Sequence, residues 1–198
     1  MDEVEEEINA LSAELAAIRV DAEDGFYAAV GKGITAWSKT EGSLIYIALM
    51  LLDTSSEKVG VIFYSIPNFY SWLTIIDELF SLDEKFASQK PNWGKIVERL
   101  KRLNDTRVRL AHHALASAEG LEVFPSLKPN KFDKRSKSVR WSPLTIDEIT
   151  EFIEEVAAVM ERLLQLIDEM KPVYLAPKKA LLEKIRQLRS STGPQGEQ

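Results

Sequence analysis

An arginine on the apolar face of a helix, five positions ahead of a histidine, is the feature of this chain best suited to chemistry. It lies in RLKRLNDTRVRLAHHAL, residues 99–115. At 100° per residue with Leu100 at the origin, Trp93, Ile96, Leu103 and Ala111 fall within about 60° of it, and Arg107 about 20° away. Arg107 is therefore expected in the middle of a buried stripe, and Arg109, at about 180°, on the wet side. A guanidinium keeps its proton, so burying one requires carboxylates or another concentrated acceptor such as phosphate. Glu41, the lone charge on the seam Val30, Ile34, Trp37, Glu41, Leu44, Ala48 and Leu51, is the natural partner for a structural ion pair. His112 falls at about 120°, at the border of the apolar face, and His113 further towards solvent.

The six residues Arg107-Val-Arg-Leu-Ala-His112, near the end of a helix in an all-helical chain, resemble the Arg-x4-6-His motif of the HEPN superfamily. The resemblance in helical order takes in about residues 25–172. It implies metal-independent RNA cleavage without a cofactor. The ribose 2′-OH would attack the adjacent phosphate, with His112 as general base or acid and Arg107 stabilising charge on the phosphoryl oxygens. It also implies a homodimer in which two Arg–His pairs face one another. Nuclease members usually carry a polar residue directly after the arginine, where this chain has Val108. Asn104 and Asp105, one turn earlier, are polar neighbours, and Asn104 joins Glu41 as a supporting candidate. The alternative is a non-catalytic helical binding or regulatory module, with a protein partner, in which Arg107 serves as an ion-pair anchor to Glu41.

A second feature bears on RNA. Residues 128–141, KPNKFDKRSKSVRW, hold six basic side chains against one acid, with Phe132 and Trp141 available for stacking. Lys134, Arg135 and Lys137 are the candidate contacts. The bland alternative is a solvated hairpin with Trp141 in the core. No metal site is expected, because adjacent histidines on a helix point about 100° apart and there is no cysteine. GKGIT at 31–35 lacks the spacing of a phosphate loop.

The elements that must position these residues read as helices. Val4, Ile8, Leu11, Leu15 and Ile18 repeat at 4-3-4-3 and form one apolar stripe, followed by the long Glu41 seam. Ser55 or Ser56 starts a third helix that Pro67 ends or kinks, and Asn68 opens a fourth. The Arg107 helix begins near Pro91–Trp93. Thr145, with Glu148 three residues on, starts another long helix that Pro172 is expected to stop. A basic amphipathic helix follows Pro177, and the residues after it read as a tail. Between them, Leu121–Phe124 and Ser138–Trp141 are candidate hairpin strands. The expectation is one all-α domain of five to seven helices with a short β-hairpin or extended insertion near 117–143. Within it, 1–22 is an acidic amphipathic helix, 23–172 the core, and 173–198 a basic helix and tail.

The 198 residues are 45 % hydrophobic and 28 % charged, ordinary for a folded chain. A net charge of −6 argues against coating nucleic acid through bulk charge, so any RNA contact must be local. The longest apolar run, Gly42–Asp53, is about half a bilayer span, and the acidic start does not read as a signal peptide. A cytoplasmic location with no membrane contact is expected. The acidic first helix and the basic last one are complementary, and are expected to pack together within one chain or across a dimer.

Overall fold

The computed structural model describes residues 2–116, 125–128 and 143–191. The fold is all-α, with five α-helices among the described residues. They are α1 (Asp2–Leu52), α2 (Ser56–Tyr64), α3 (Phe69–Leu82), α4 (Lys90–His112) and α5 (Ile146–Ser191), with a 3-10 turn at Glu84–Phe86. No described helix is long and apolar enough to cross a membrane.

The stripe Val4–Ile18 and the Glu41 seam belong to one helix rather than two. The first proline of the chain is Pro67, and a lone helix-interior glycine costs only about 1 kcal/mol. Gly25 therefore does not break α1, and buried Phe26 anchors the helix beside it. α1 ends where Asp53 takes a left-handed conformation with φ 45°.

Pro172 likewise fails to stop α5, which continues through Pro172 and Pro177 to Ser191. Each proline lacks an N–H, so the carbonyls of Asp168 and Val173 lose their usual helical donor. Buried Leu163, Leu166 and Met170 hold the preceding turns in place, and helix-forming Leu, Lys and Glu residues carry the next ones.

Two of the three expected caps form with side-chain hydrogen bonds, whereas Ser55 takes the N-cap position of α2 without one. Asn68 accepts a hydrogen bond from Tyr70 N at 2.9 Å at the start of α3. Thr145 N donates to Glu148 Oε2 at 2.8 Å and Glu148 N donates to Thr145 Oγ1 at 3.3 Å, a reciprocal capping box.

The chain divides into two compact units, Met1–Thr40 with Arg99–Met160, and Glu41–Glu98 with Glu161–Gln198. In the first, Phe26 and Trp37 of α1, Leu100, Leu103 and Leu110 of α4, and Ile149, Phe152 and Val156 of α5 are buried. Trp37 stacks on Phe152 at 6.2 Å between ring centroids. This unit also holds an antiparallel ribbon of β1 (Ala114–Ala116) and β2 (Ser126–Lys128), in the register Leu115↔Leu127. Leu127 exchanges backbone hydrogen bonds with Leu144 at 3.0 and 2.8 Å. The expected hairpin segments, Leu121–Phe124 and Ser138–Trp141, lie outside the described residues.

In the second unit Phe63 meets Trp72 edge-on at 5.2 Å, and Trp72 Nε1 donates to Ile66 O at 2.9 Å. Phe80 stacks on Trp93 at 5.5 Å. Lys178 Nζ donates to Asp53 Oδ1 at 2.7 Å and sits 3.5 Å over the Tyr174 ring. The Lys178 hydrogen bond holds the Asp53 carboxyl below its usual value, and in turn raises the Lys178 ammonium above its own.

Candidate functional site

The candidate residues are carried by the C-terminal half of α4. Its first turns follow the apolar repeat, with Trp93, Ile96, Leu100 and Leu103 buried. The last turns do not. There the buried positions are Leu110 and His113, while Ala111, which the repeat places on the stripe, is exposed.

The cause is a close approach in the first unit. A Cβ at Gly33 of α1 would stand 3.2 Å from Leu110 Cδ1 and 3.5 Å from the Phe152 ring. The missing side chain at Gly33 leaves room for Leu110, and α4 turns its Leu103–Thr106–Leu110 side to the packed interior. Arg107 consequently lies half-buried at the edge of the stripe rather than in its middle, together with Val108 and Asp105. His112, the last residue of α4, is exposed. Asn104 is buried, at 5 % exposure. Glu41 is half-buried on α1. Lys134, Arg135 and Lys137 lie outside the described residues.

Arg107 and His112 share one helix, separated by a rise of about 7.5 Å and a rotation of about 140°. Both reach one phosphate only if the arginine extends or a second surface completes the cleft. Among the described residues no three His, Asp or Glu side chains cluster to hold a metal ion.

Two residues that pattern alone places in solvent are covered. The Arg109 side chain is 11 % exposed; its Nη2 donates to Pro143 O at 2.8 Å and lies 3.7 Å from Glu148 Oε1. His113 is 9 % exposed, its backbone N–H donating to Arg109 O at 2.9 Å. Glu148 thus caps α5 with one carboxylate oxygen and faces Arg109 with the other.

Beside this contact is a cavity of about 240 Å³, lined by Arg102, Thr106 and Arg109 of α4 and by Glu148, Glu151 and Glu155 of α5. It is smaller than the roughly 300 Å³ at which small-molecule sites begin. Three carboxylates outnumber two guanidiniums there, so it does not attract a phosphate. Sequence reasoning missed this charged seam. Its signal was the heptad spacing of Arg102 and Arg109 against carboxylates at 148, 151 and 155, one face of a helix in each case.

The class that the fold defines is an all-α helical protein with an Arg–His pair at the end of one helix. Compared with protein-family models, curated proteins and solved structures, the chain matches none.

Proposed function

We propose that this is a HEPN-like helical protein that cleaves RNA without a metal ion, using Arg107 and His112. The observation that carries the reading is the Arg107-x4-His112 pair at the end of α4, with the histidine exposed and the arginine at the rim of the packed face. An exposed imidazole is open to an incoming substrate, and a guanidinium half-withdrawn from water binds a phosphoryl oxygen more strongly than one fully solvated.

In the reaction, a new bond forms between the ribose 2′-oxygen and the adjacent phosphorus as the bond from phosphorus to the 5′-oxygen breaks. The products are a 2′,3′-cyclic phosphate and a free 5′-hydroxyl. The 2′-oxygen gives up a proton and the leaving oxygen gains one. His112 serves one of these transfers, and a second His112 from the homodimer partner is positioned for the other. Arg107 offsets the charge that develops on the non-bridging oxygens. Asn104 and Glu41 are supporting residues. The substrate is cytoplasmic RNA, and Lys134, Arg135 and Lys137 add local positive charge for it.

Val108 favours a second reading, a non-catalytic binding or regulatory module with a protein partner, because an apolar side chain there contributes nothing to proton or phosphate chemistry. One experiment separates the two. The purified chain is incubated with single-stranded RNA and DNA in chelator, alongside Arg107→Ala and His112→Ala. The nuclease reading expects RNA cleavage only, slowed about 10²–10⁴-fold by loss of the acid–base group. Equal RNA turnover by all three proteins eliminates it.

A further inference from the structure

GKGIT at 31–35 has no phosphate-loop spacing, yet Gly31, Lys32 and Thr35 all line a hollow of about 510 Å³ in the first unit. α1 supplies one wall and α5 the other, through Val156, Ala157 and Met160. The volume falls within the roughly 300–1,000 Å³ of small-molecule sites, which the charged cavity beside Glu148 does not reach.

Gly31 and Gly33, two residues apart, do different things. The missing side chain at Gly33 makes room for Leu110, whereas a Cβ at Gly31 meets nothing within 4 Å. Small residues on both helices leave the hollow open, and aliphatic ones bound it: Val156 is buried, and Ala36 and Met160 are half-buried. No aromatic ring lines it, so a flat ring gains no stacking there, while the flexible Met160 thioether can follow the shape of a chain.

The polar rim is positive. Lys32 and Lys39 line the hollow and no carboxylate does, whereas three carboxylates line the cavity beside Glu148. The Thr35 hydroxyl donates its proton to Gly31 O at 2.8 Å, inside its own helix. Lysine ammonium groups therefore remain as donors to an occupant, and they call for an acceptor of negative charge. A lysine is a point charge without the guanidinium fork, which suits a monoanionic head.

We infer that this hollow binds a small aliphatic carboxylate, its chain against Ala36, Val156 and Met160 and its head on the Lys32 ammonium. Burying the chain supplies the affinity, and the charge at the rim selects the head. The inference uses neither Arg107 nor His112, so it stands for an inactive protein as well.

The test uses three probes with one tail and different heads: octanoate, octanol and octylammonium. Each is titrated into the full chain carrying isotope-labelled methionine methyl groups, and the Met160 signal, assigned by its loss in Met160→Leu, is followed by NMR. Octanoate is expected to shift it saturably, with a dissociation constant on the order of 1 mM. It is expected to bind about 2–5-fold more tightly than octanol, the yield of one exposed charge contact, and octylammonium is expected to bind weakest. Lys32→Glu is expected to remove the advantage of octanoate over octanol. Gly31→Leu on one wall and Ala157→Leu on the other place a good helix former in each position, and are expected to keep the fold while weakening octanoate about tenfold or more by filling the space. An unmoved Met160 signal at about 10 mM octanoate, equal affinities for the three heads, an octanoate preference that survives Lys32→Glu, or wild-type binding by both leucine variants overturns the inference.

Discussion

Gly33→Ala tests whether the contact with Leu110 holds the end of α4. An alanine in a helix interior is more favourable than glycine by about 1 kcal/mol, so substitution at an open site stabilises. Gly25 and Gly31 of α1 are open sites, where an added Cβ meets nothing within 4 Å. At Gly33 the same methyl meets Leu110 Cδ1 at 3.2 Å, with the Phe152 ring at 3.5 Å beside it. Leu110 and Phe152 are both nearly fully buried, so the leucine has little room to retreat. Overpacking of this kind costs about 1–3 kcal/mol. The gain and the loss leave Gly33→Ala destabilised by roughly 0–2 kcal/mol, while Gly25→Ala and Gly31→Ala gain about 0.5–1 kcal/mol each. For a chain of this length each kcal/mol moves the melting temperature by about 2–4 °C. Thermal and urea unfolding of the three variants measure the contrast. Adding Leu110→Val removes the clashing methyl and is expected to recover at least about 0.5 kcal/mol in a double-mutant cycle. If Gly33→Ala stabilises as much as Gly31→Ala and shows no interaction with Leu110→Val, then Leu110 does not pack at Gly33 and the rotation of α4 is refuted.

The caps and the surface pair carry further expected outcomes. Thr145→Ala is expected to cost about 1 kcal/mol through the lost cap. Glu148→Ala should cost more, because it removes both the reciprocal cap and the carboxylate facing Arg109; equal melting temperatures for the two variants would contradict this. Asp53→Asn tolerates the left-handed backbone but gives up the bond from Lys178. Asp53 titrates below its ordinary value in the folded chain, so its contribution is present above that ordinary value and lost as pH falls through the lowered one. Lys178 titrates above its ordinary value, so its contribution is present below that value and lost as pH rises through the raised one. The wild-type advantage over Asp53→Asn is therefore expected at neutral pH and should fade in strong acid and strong alkali. A gap in melting temperature that is constant with pH argues against the ion pair.

The parts of the fold legible in the sequence are those set by neighbouring residues. The apolar repeat of early α4, the Asn68 cap and the Thr145–Glu148 box are local, and the all-α class arises from such repeats. What the repeat does not carry is which neighbour covers a given side. Arg109 stands opposite the apolar stripe, yet Pro143 and Glu148, more than 30 residues later, enclose it. Ala111 lies on the stripe and is exposed, because Gly33, on another helix, draws Leu110 inward instead. The same rotation buries His113 and leaves Arg107 at the rim. A helix end is misjudged where one residue is taken as decisive: Pro172 weakens α5, and neighbouring anchors outweigh it.

The two prolines of α5 each leave a helical carbonyl without its donor, and a helix bends most readily at such a position. A helix is a stiff lever, and from Pro177 to Leu188 it is about 16 Å long. A bend of about 20° at such a proline swings Leu188 sideways by roughly 5 Å, more than half the spacing between packed helices. Replacing Pro177 is thus expected to re-aim the last three turns without altering a single residue on their surface.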